Sequence, residues 1–509
     1  MRKQVLFGAA LLALGTAVVS SCSKDEVVID NTPGVETPVA EGEQEIILQV
    51  ANTGDGLTTR AGRPLFSSEA KQTIDKVKVV IVDENGTVVS VKVFTNWSTD
   101  AVSQVYTTDG HGRKATWKLT GAERLAANGK YRVYAVGYTS TGSLYNDGIT
   151  AFENLNAQGN FSSFVSKITE TTVEGEEIFA GEIASITTDG EGNFDLTTGG
   201  ASNVLTLHRQ VAGVMGYFTS IPVYSATDAA TAAKQQAGES EPDKYQVKDL
   251  SGYKLRLVSS NMSNKIILEG FNSDFVNTGE NVEFKVNGIL DGEVNKTQNF
   301  YDSDLNPVSG SADTKDAYEV FTIDLSKWFP NGDVNNDGLL NDLDAEDYTT
   351  NGNWDTPASV QGASFAPGSV FSGKFVIPFA KAINTQTLQL QLVGKGIEDN
   401  ALSEDIKVLR VWNINLPSDD AQIYPTAGHA LVWDGSSTGT IVFEELEGAG
   451  AGENKTSYSL VRNHLYGIGA KETDEYNPDK DEPQDLSTGQ NLILQVNDNW
   501  ELIHKMEIE

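Results

Sequence analysis

The last nineteen residues alternate almost without interruption. Every second residue from Leu492 (Leu492, Leu494, Val496, Asp498, Trp500, Leu502, His504, Met506, Ile508) is apolar with two exceptions, and the residues between them are polar with two exceptions. A side-chain period of two is that of a half-buried β-strand. At about 3.3 Å per residue the stretch reaches roughly 60 Å, far beyond the usual five or six residues. A break near Asn497-Asp498-Asn499 would divide it into two strands in line. A strand this apolar exposes an aggregation-prone edge unless it joins a sheet. It either closes its own domain, as most C-terminal strands do, or adds to the sheet of another molecule.

Near the other end, Glu45-Ile46-Ile47-Leu48-Gln49-Val50 resembles Asn491-Leu492-Ile493-Leu494-Gln495-Val496. The two share Ile-Leu-Gln-Val and the same inward set, Ile46, Leu48 and Val50 against Leu492, Leu494 and Val496. On the order of one identical four-residue pair arises by chance in a chain of this length. Position adds to the match, because each copy lies near a terminus beside a polar stretch. Two strands with one inward pattern can compete for one slot.

The start of the chain reads as a secretion signal. Met1-Arg2-Lys3 is basic and Val5 to Val19 apolar, and the run ends in Val19-Ser20-Ser21-Cys22, a lipobox-like sequence before the only cysteine. A lone cysteine forms no internal disulfide, and this position predicts lipidation of Cys22. Ser23-Lys24-Asp25-Glu26 resembles a surface-export signal of Bacteroidetes lipoproteins, and residues 25–43 read as a tether. After the first strand comes a small, polar loop, residues 52–63. In it Arg60-Ala61-Gly62 suits an arginine-specific protease.

The 509 residues hold 48 glycines and abundant Thr, Val, Asn and Asp, which favours an all-β chain with many turns. The net charge of −34 makes nucleic acid and bare anionic membrane poor partners, because phosphate binding needs a basic surface. Glu84-Asn85-Gly86 between Val77–Val82 and Thr87–Phe94 predicts a hairpin. Further strands are expected at Tyr131–Tyr138, Ile178–Gly181, Ser202–Met215, Tyr253–Val258, Lys265–Glu269, Val282–Val286, Tyr318–Leu325, Gly373–Phe379, Thr387–Val393, Val408–Ile414, Thr440–Phe443 and Tyr458–Tyr466. Turns between them recur every eight to fifteen residues or so, a spacing that fits β-sandwiches. His208 and Arg209 read as charges at a seam between domains. Residues 228–241 read as an insertion, and the acidic stretch 472–490, with Pro478 and Pro483, as a loose linker. The boundaries expected are 1–21 signal, 22–60 tether and removable strand, 61–215 and 216–471 two tandem Ig-like or transthyretin-like sandwiches, and 472–509 linker and donor strand.

Asp333-Val334-Asn335-Asn336-Asp337-Gly338-Leu339-Leu340-Asn341-Asp342-Leu343-Asp344 fits an EF-hand-type calcium loop. Asp333, Asn335, Asp337, the Leu339 carbonyl, Asn341 and Asp344 would supply the oxygens, and Gly338 the sharp turn. Asp in place of Glu at the last position resembles a dockerin loop, but no second copy follows. The alternative is a metal-free Asn/Asp turn.

These features together resemble the fimbrillin superfamily of Bacteroidales. The residues that carry the resemblance are Cys22, the Ile46–Val50 strand, Arg60-Ala61-Gly62, the stretch around His208-Arg209, Val461-Arg462-Asn463-His464-Leu465-Tyr466, and the terminal strand with Trp500. The resemblance implies a lipoprotein precursor held at the outer membrane, its first strand removed by a protease at Arg60. The C-terminal strand of another subunit (Leu492, Leu494, Val496, Trp500, Leu502, Met506, Ile508) would then fill the groove, building a fimbria. Other fimbrial subunits would be the partners. Leu207 to Gly213 also resembles the anchor branch, which keeps its lipid and first strand. A different class remains open: a glycan-binding surface lipoprotein with Trp328, Trp354 and Trp433 as sugar platforms. An enzyme is not expected, with five histidines and neither a Gly-x-Ser-x-Gly nor a His-Glu-x-x-His motif.

Overall fold

The computed structural model describes residues 44–50, 74–105, 112–139, 150, 152–161, 165–167, 174–197, 202–223, 247–260, 265–267, 296–308, 315–335, 337–345, 363–377, 387–398, 401–415, 429–433, 441–445, 460, 465–473, 475–487, 491–493 and 495–497. Among them the chain is nearly all β, with α-helical residues at 150, 152 and 153, a four-residue α-turn, Leu325–Trp328, and short 3-10 turns.

An eight-stranded sheet takes up the first part of the described chain. Its strands run in the order Val88–Thr95, Lys76–Asp83, Lys130–Tyr138, Phe179–Thr187, Val204–Arg209, Glu45–Val50, Arg113–Lys118, Gln104–Val105. The expected hairpin joins the first two, with Val82 opposite Val88 and Gly86 at φ +80° in the turn. Phe94 near one end of this sheet and Ala115 and Trp117 near the other share one buried cluster with Ile46, Val77, Val133 and Leu205. The edge strand Val88–Thr95 reaches the 3-10 turn Gly121–Glu123 that follows Arg113–Lys118, so the sheet curls over its own core.

The middle of that sheet is buried on both faces, which explains why Lys76–Asp83 is nearly continuous in apolar residues rather than alternating. Val77, Val79 and Ile81 face the curled core, while Val80 and Val82 face a second, larger one. Lys78 also points inward at 2% exposure, and its Nζ donates to Leu155 O at 2.9 Å. Burial lowers its pKa, with the Glu153 carboxylate working against that.

Two further sheets enclose the larger core. The strand Ala212–Thr219 is central in one, antiparallel to Val370–Val376 and parallel to Leu465–Ile468. The other runs Tyr318–Asp324, Lys254–Ser259, Leu388–Glu398, Ala401–Asn415, Asn491–Ile493. The stretch Ser202–Met215, expected as one strand, divides at Gln210-Val211. Val204–Arg209 stays in the eight-stranded sheet and Ala212–Thr219 enters the next. Arg209 sits at the crossing with no exposure, ion-paired to the equally buried Glu177. The side chain of His208 lies outside the described ones.

The acidic stretch after Lys471 differs from the expected loose linker. Lys471 Nζ meets Asp481 Oδ2 at 3.2 Å with both side chains buried. Ala470 and Glu482 form a bridge, Gln484–Asp485 pairs with Phe218 and Thr219, and Leu486 is buried. The acid count suggested solvation, but two of the charges neutralise each other and the backbone adds to a sheet. The strand expected at residues 282–286 and the insertion expected at 228–241 lie outside the described residues.

Candidate functional site

The first strand, Glu45–Val50, occupies an interior place in its sheet. It runs antiparallel to Arg113–Lys118, with Ile46 opposite Trp117 and Leu48 opposite Ala115, and parallel to Val204–Arg209. Ile46, Leu48 and Val50 have no exposure and belong to the curled core. Each such side chain contributes about 1.5–3 kcal/mol by its burial. The strand is held by both neighbours, so taking it out would leave two sheet edges facing each other across a groove floored by apolar side chains.

Polar contacts fix the head of this strand. Gln44 is 1% exposed. Its Oε1 accepts from Leu125 N at 2.7 Å, and its Nε2 donates to Leu125 O at 3.0 Å and to Gly192 O. Asn203 Nδ2 donates to Glu45 O at 2.9 Å, and Lys118 Nζ lies 3.5 Å from a Glu45 carboxylate oxygen. Neither Gln44 nor Asn203 was found from the sequence. Their partners lie far along the chain, and a lone amide before a strand carries no periodic signal.

The tail begins on the chain's own body. Asn491–Ile493 lies parallel to Ala401–Asn415, at the edge of the five-stranded sheet. Gln495–Asn497 lies antiparallel to Leu465–Ile468, at the edge of the other. The two described pieces, ending at Ile493 and beginning at Gln495, therefore belong to different sheets, and the change comes before the break expected near Asn497-Asp498-Asn499. Leu492 is 2% exposed and belongs to the larger core. Of the other donor-strand residues, Val496 is described by its backbone alone. Leu494, Trp500, Leu502, Met506 and Ile508 lie outside the described residues, as do Cys22, Arg60 and Ala61.

At the acidic loop, Asp333, Asp337 and Asp344 place carboxylate oxygens within 4.8 Å of one another. Gly338 has φ +83°, a value only glycine takes without strain, and its N–H donates to Asp333 Oδ2 at 2.8 Å. Asp337 Oδ2 accepts from Asn335 Nδ2 at 2.9 Å and Asn341 Nδ2 at 3.0 Å. Asp344 Oδ1 accepts from Val334 N at 2.7 Å, and burial pushes its carboxyl above the usual range. Leu339 and Leu340 pair with Pro222 and Ile221, which ties the loop to the body. Asn335 and Asn341 are turned into the same loop, so all five predicted side chains gather at one place. The three carboxylates are hard oxygen donors of the class a calcium ion takes, while Asn335 and Asn341 accept with Oδ1 from Asp337 N and Leu343 N.

Trp328 cannot serve as a sugar platform. It is 4% exposed and packs edge-on against Phe365, ring centres 5.6 Å apart. Trp354 and the side chain of Trp433 lie outside what is described.

No family model matches the sequence, and no curated protein does. Solved structures do match. A protein from Parabacteroides distasonis named for cell adhesion is similar over 90% of this chain and 96% of its own, at 10% identity and a TM-score of 0.33. A fimbrial assembly protein of the same organism is similar over 84% of this chain and 92% of its own, at 12% identity and a TM-score of 0.28. The fimbrial anchor protein Mfa2 of Porphyromonas gingivalis is similar over 58% of this chain and 87% of its own, at 13% identity and a TM-score of 0.21.

Proposed function

We propose that this chain is a structural subunit of a cell-surface fimbria. It is made as a lipoprotein precursor, held at the outer membrane through Cys22, and polymerised by strand exchange after a protease cuts at Arg60. The observation that carries this reading is the interior position of Glu45–Val50. A strand near the N-terminus fills a groove between two others, and residues 51–73, which hold Arg60, join it to the next described strand. A second segment with the same inward pattern stands at the other end of the chain. Main-chain hydrogen bonds to two neighbours together with buried Leu and Val make such a joint tight. Head-to-tail addition that does not close on itself yields a filament. A calcium ion in the Asp333–Asp344 loop would brace the body next to Ile221-Pro222.

The reading is tested by brief trypsin treatment of the precursor, N-terminal sequencing and size analysis. A new N-terminus at Ala61 with SDS-resistant ladders is expected. The ladders should be absent in the double variant Leu494→Lys/Val496→Lys, which places charge in the inward set. A chain that stays monomeric after the cut removes the stalk role.

A second reading is favoured by the polar contacts at Gln44 and Glu45, which suit a strand that is kept. A lipid-held anchor subunit would retain it, and its Arg60 would resist cleavage.

A further inference from the structure

A period of two does not fix a register by itself. A strand that slides by two residues keeps its apolar face inward. In the terminal stretch a slide by two brings Asp498 or Gln490 into the inward set, so the apolar face favours Leu492, Leu494 and Val496 but does so through a single residue at either end. A polar contact at the head of the groove would sharpen that choice.

The head of the groove holds a site with that capacity. One N–H, from Leu125, and two carbonyls, of Leu125 and Gly192, converge on the Gln44 amide. One donor and two acceptors match a primary amide. A carboxylate would face two carbonyl oxygens with nothing to donate, and an ammonium could not accept from Leu125 N. The pocket is also built without help from the strand it holds. Thr188 Oγ1 donates to Ala126 O at 2.6 Å and Asn128 N to Asp189 O at 2.9 Å, joining its two walls. Asp189 Oδ1 accepts from Glu191 N and Asn193 N, both at 2.8 Å, and Gly192 lies between them at φ +83°.

Extended by one residue, the two end segments read Gln44-Glu45-Ile46-Ile47-Leu48-Gln49-Val50 and Gln490-Asn491-Leu492-Ile493-Leu494-Gln495-Val496, identical at five of seven positions. The added position is the glutamine. We infer that the pocket of Leu125 and Gly192 is a register-setting subsite that reads a glutamine side chain, and that residues 490–496 of a second copy are the strand it selects. The inference rests on the strand-exchange reading above and names its specificity. With Gln490 in the pocket, Leu492, Leu494 and Val496 take the places of Ile46, Leu48 and Val50. A slip by two residues would bring Leu492 to the pocket and leave its N–H and both carbonyls without partners. The tail can leave its own body for this purpose, because both of its described pieces are edge strands of three residues.

The test uses the full chain. Gln490→Glu keeps the shape of the side chain and removes its donors. After the trypsin cut, its rate of ladder formation is expected to fall about tenfold or more, the size that losing one or two buried hydrogen bonds implies, while the uncut variant keeps the circular dichroism of the wild type. In uncut Gln44→Glu, hydrogen exchange at the amides of residues 46–50 is expected to quicken by a similar factor. Assembly of Gln490→Glu at the wild-type rate would overturn the subsite and leave strand exchange standing. Unchanged exchange in Gln44→Glu would overturn it as well, by showing that the pocket holds nothing. If the cut wild-type chain does not assemble, strand exchange itself fails and the inference falls with it.

Discussion

Arg209 and Glu177 meet inside the protein with neither side chain exposed. Nε and Nη2 of the arginine both lie 2.8 Å from Glu177 Oε1, and the guanidinium rests 4.9 Å from the ring centre of Phe179. The pair stands where the chain passes from the eight-stranded sheet into the strand Ala212–Thr219, so it marks the boundary between the two cores. Removing one partner leaves the other buried without the ion pair that joins them. Glu177→Ala is expected to lower stability by about 3–5 kcal/mol, read from urea denaturation. The double change Glu177→Leu/Arg209→Met is expected to cost far less, since no charge is left behind. Equal losses in the two variants would mean that packing, not charge, governs the site.

The acidic loop gives a metal prediction. Three carboxylates within 4.8 Å repel one another unless a cation sits among them. Calcium in excess is expected to raise the thermal midpoint, and a chelator to lower it, because a ligand that binds only the folded state stabilises it by mass action. Asp333→Asn and Asp344→Asn are expected to abolish the calcium-dependent shift. A midpoint indifferent to calcium in the wild type would leave the loop as a metal-free turn.

Acid should loosen the turns before the cores. Asp189 and Asp249 are exposed and Asp83 is half-buried, and each accepts a backbone N–H two residues on: Asn85 N at 2.9 Å, Glu191 N at 2.8 Å and Ser251 N at 2.9 Å. Hydrogen bonds hold all three below the usual carboxylate range, chiefly from Thr87 N–H for Asp83, Asn193 N–H for Asp189 and Ser251 for Asp249. A folded-state pKa below the unfolded value means that the stabilisation is present above the unfolded pKa. It is lost as pH falls through the folded one. The urea midpoint is therefore expected to decline from about pH 4 downward. The slope should be smaller in Asp83→Asn/Asp189→Asn/Asp249→Asn. A triple variant with the wild-type slope would refute this assignment.

Period and turn chemistry made much of this fold readable. Asn85-Gly86 marked the hairpin because Gly86 takes a left-handed φ, and alternation marked Ile46, Leu48 and Val50 as one buried face. The calcium-loop spacing brought its side chains to one place. Contacts between distant residues were not readable. Lys471 and Asp481 look like solvated charges in an acidic stretch, and only the fold shows that they bury each other. Gln44 looks like an ordinary polar residue before a strand, because its partners stand 81 and 148 positions away. Trp328 looks like a free platform until Phe365 is placed against it. The division at Gln210-Val211 was hidden because both halves are apolar and extended, so no pattern marks the change of sheet.

Trp117 offers a direct report on the groove. It is 2% exposed, lies opposite Ile46 across the antiparallel pair, and its Nε1 donates to Glu123 Oε2 at 3.3 Å. Trp97 shares the same core, and Trp328 and Trp412 lie in the other one. Departure of Glu45–Val50 would take away the strand that Trp117 pairs with and let water reach the indole. After the cut at Arg60, emission is expected to shift to the red when the first strand leaves. It should return to the blue when a donor strand fills the place, with the growth of ladders following the return. The difference between wild type and Trp117→Phe isolates this signal from the other tryptophans. A cut chain that assembles while Trp117 emission never changes would mean that the groove is not emptied, and that assembly proceeds through some other surface.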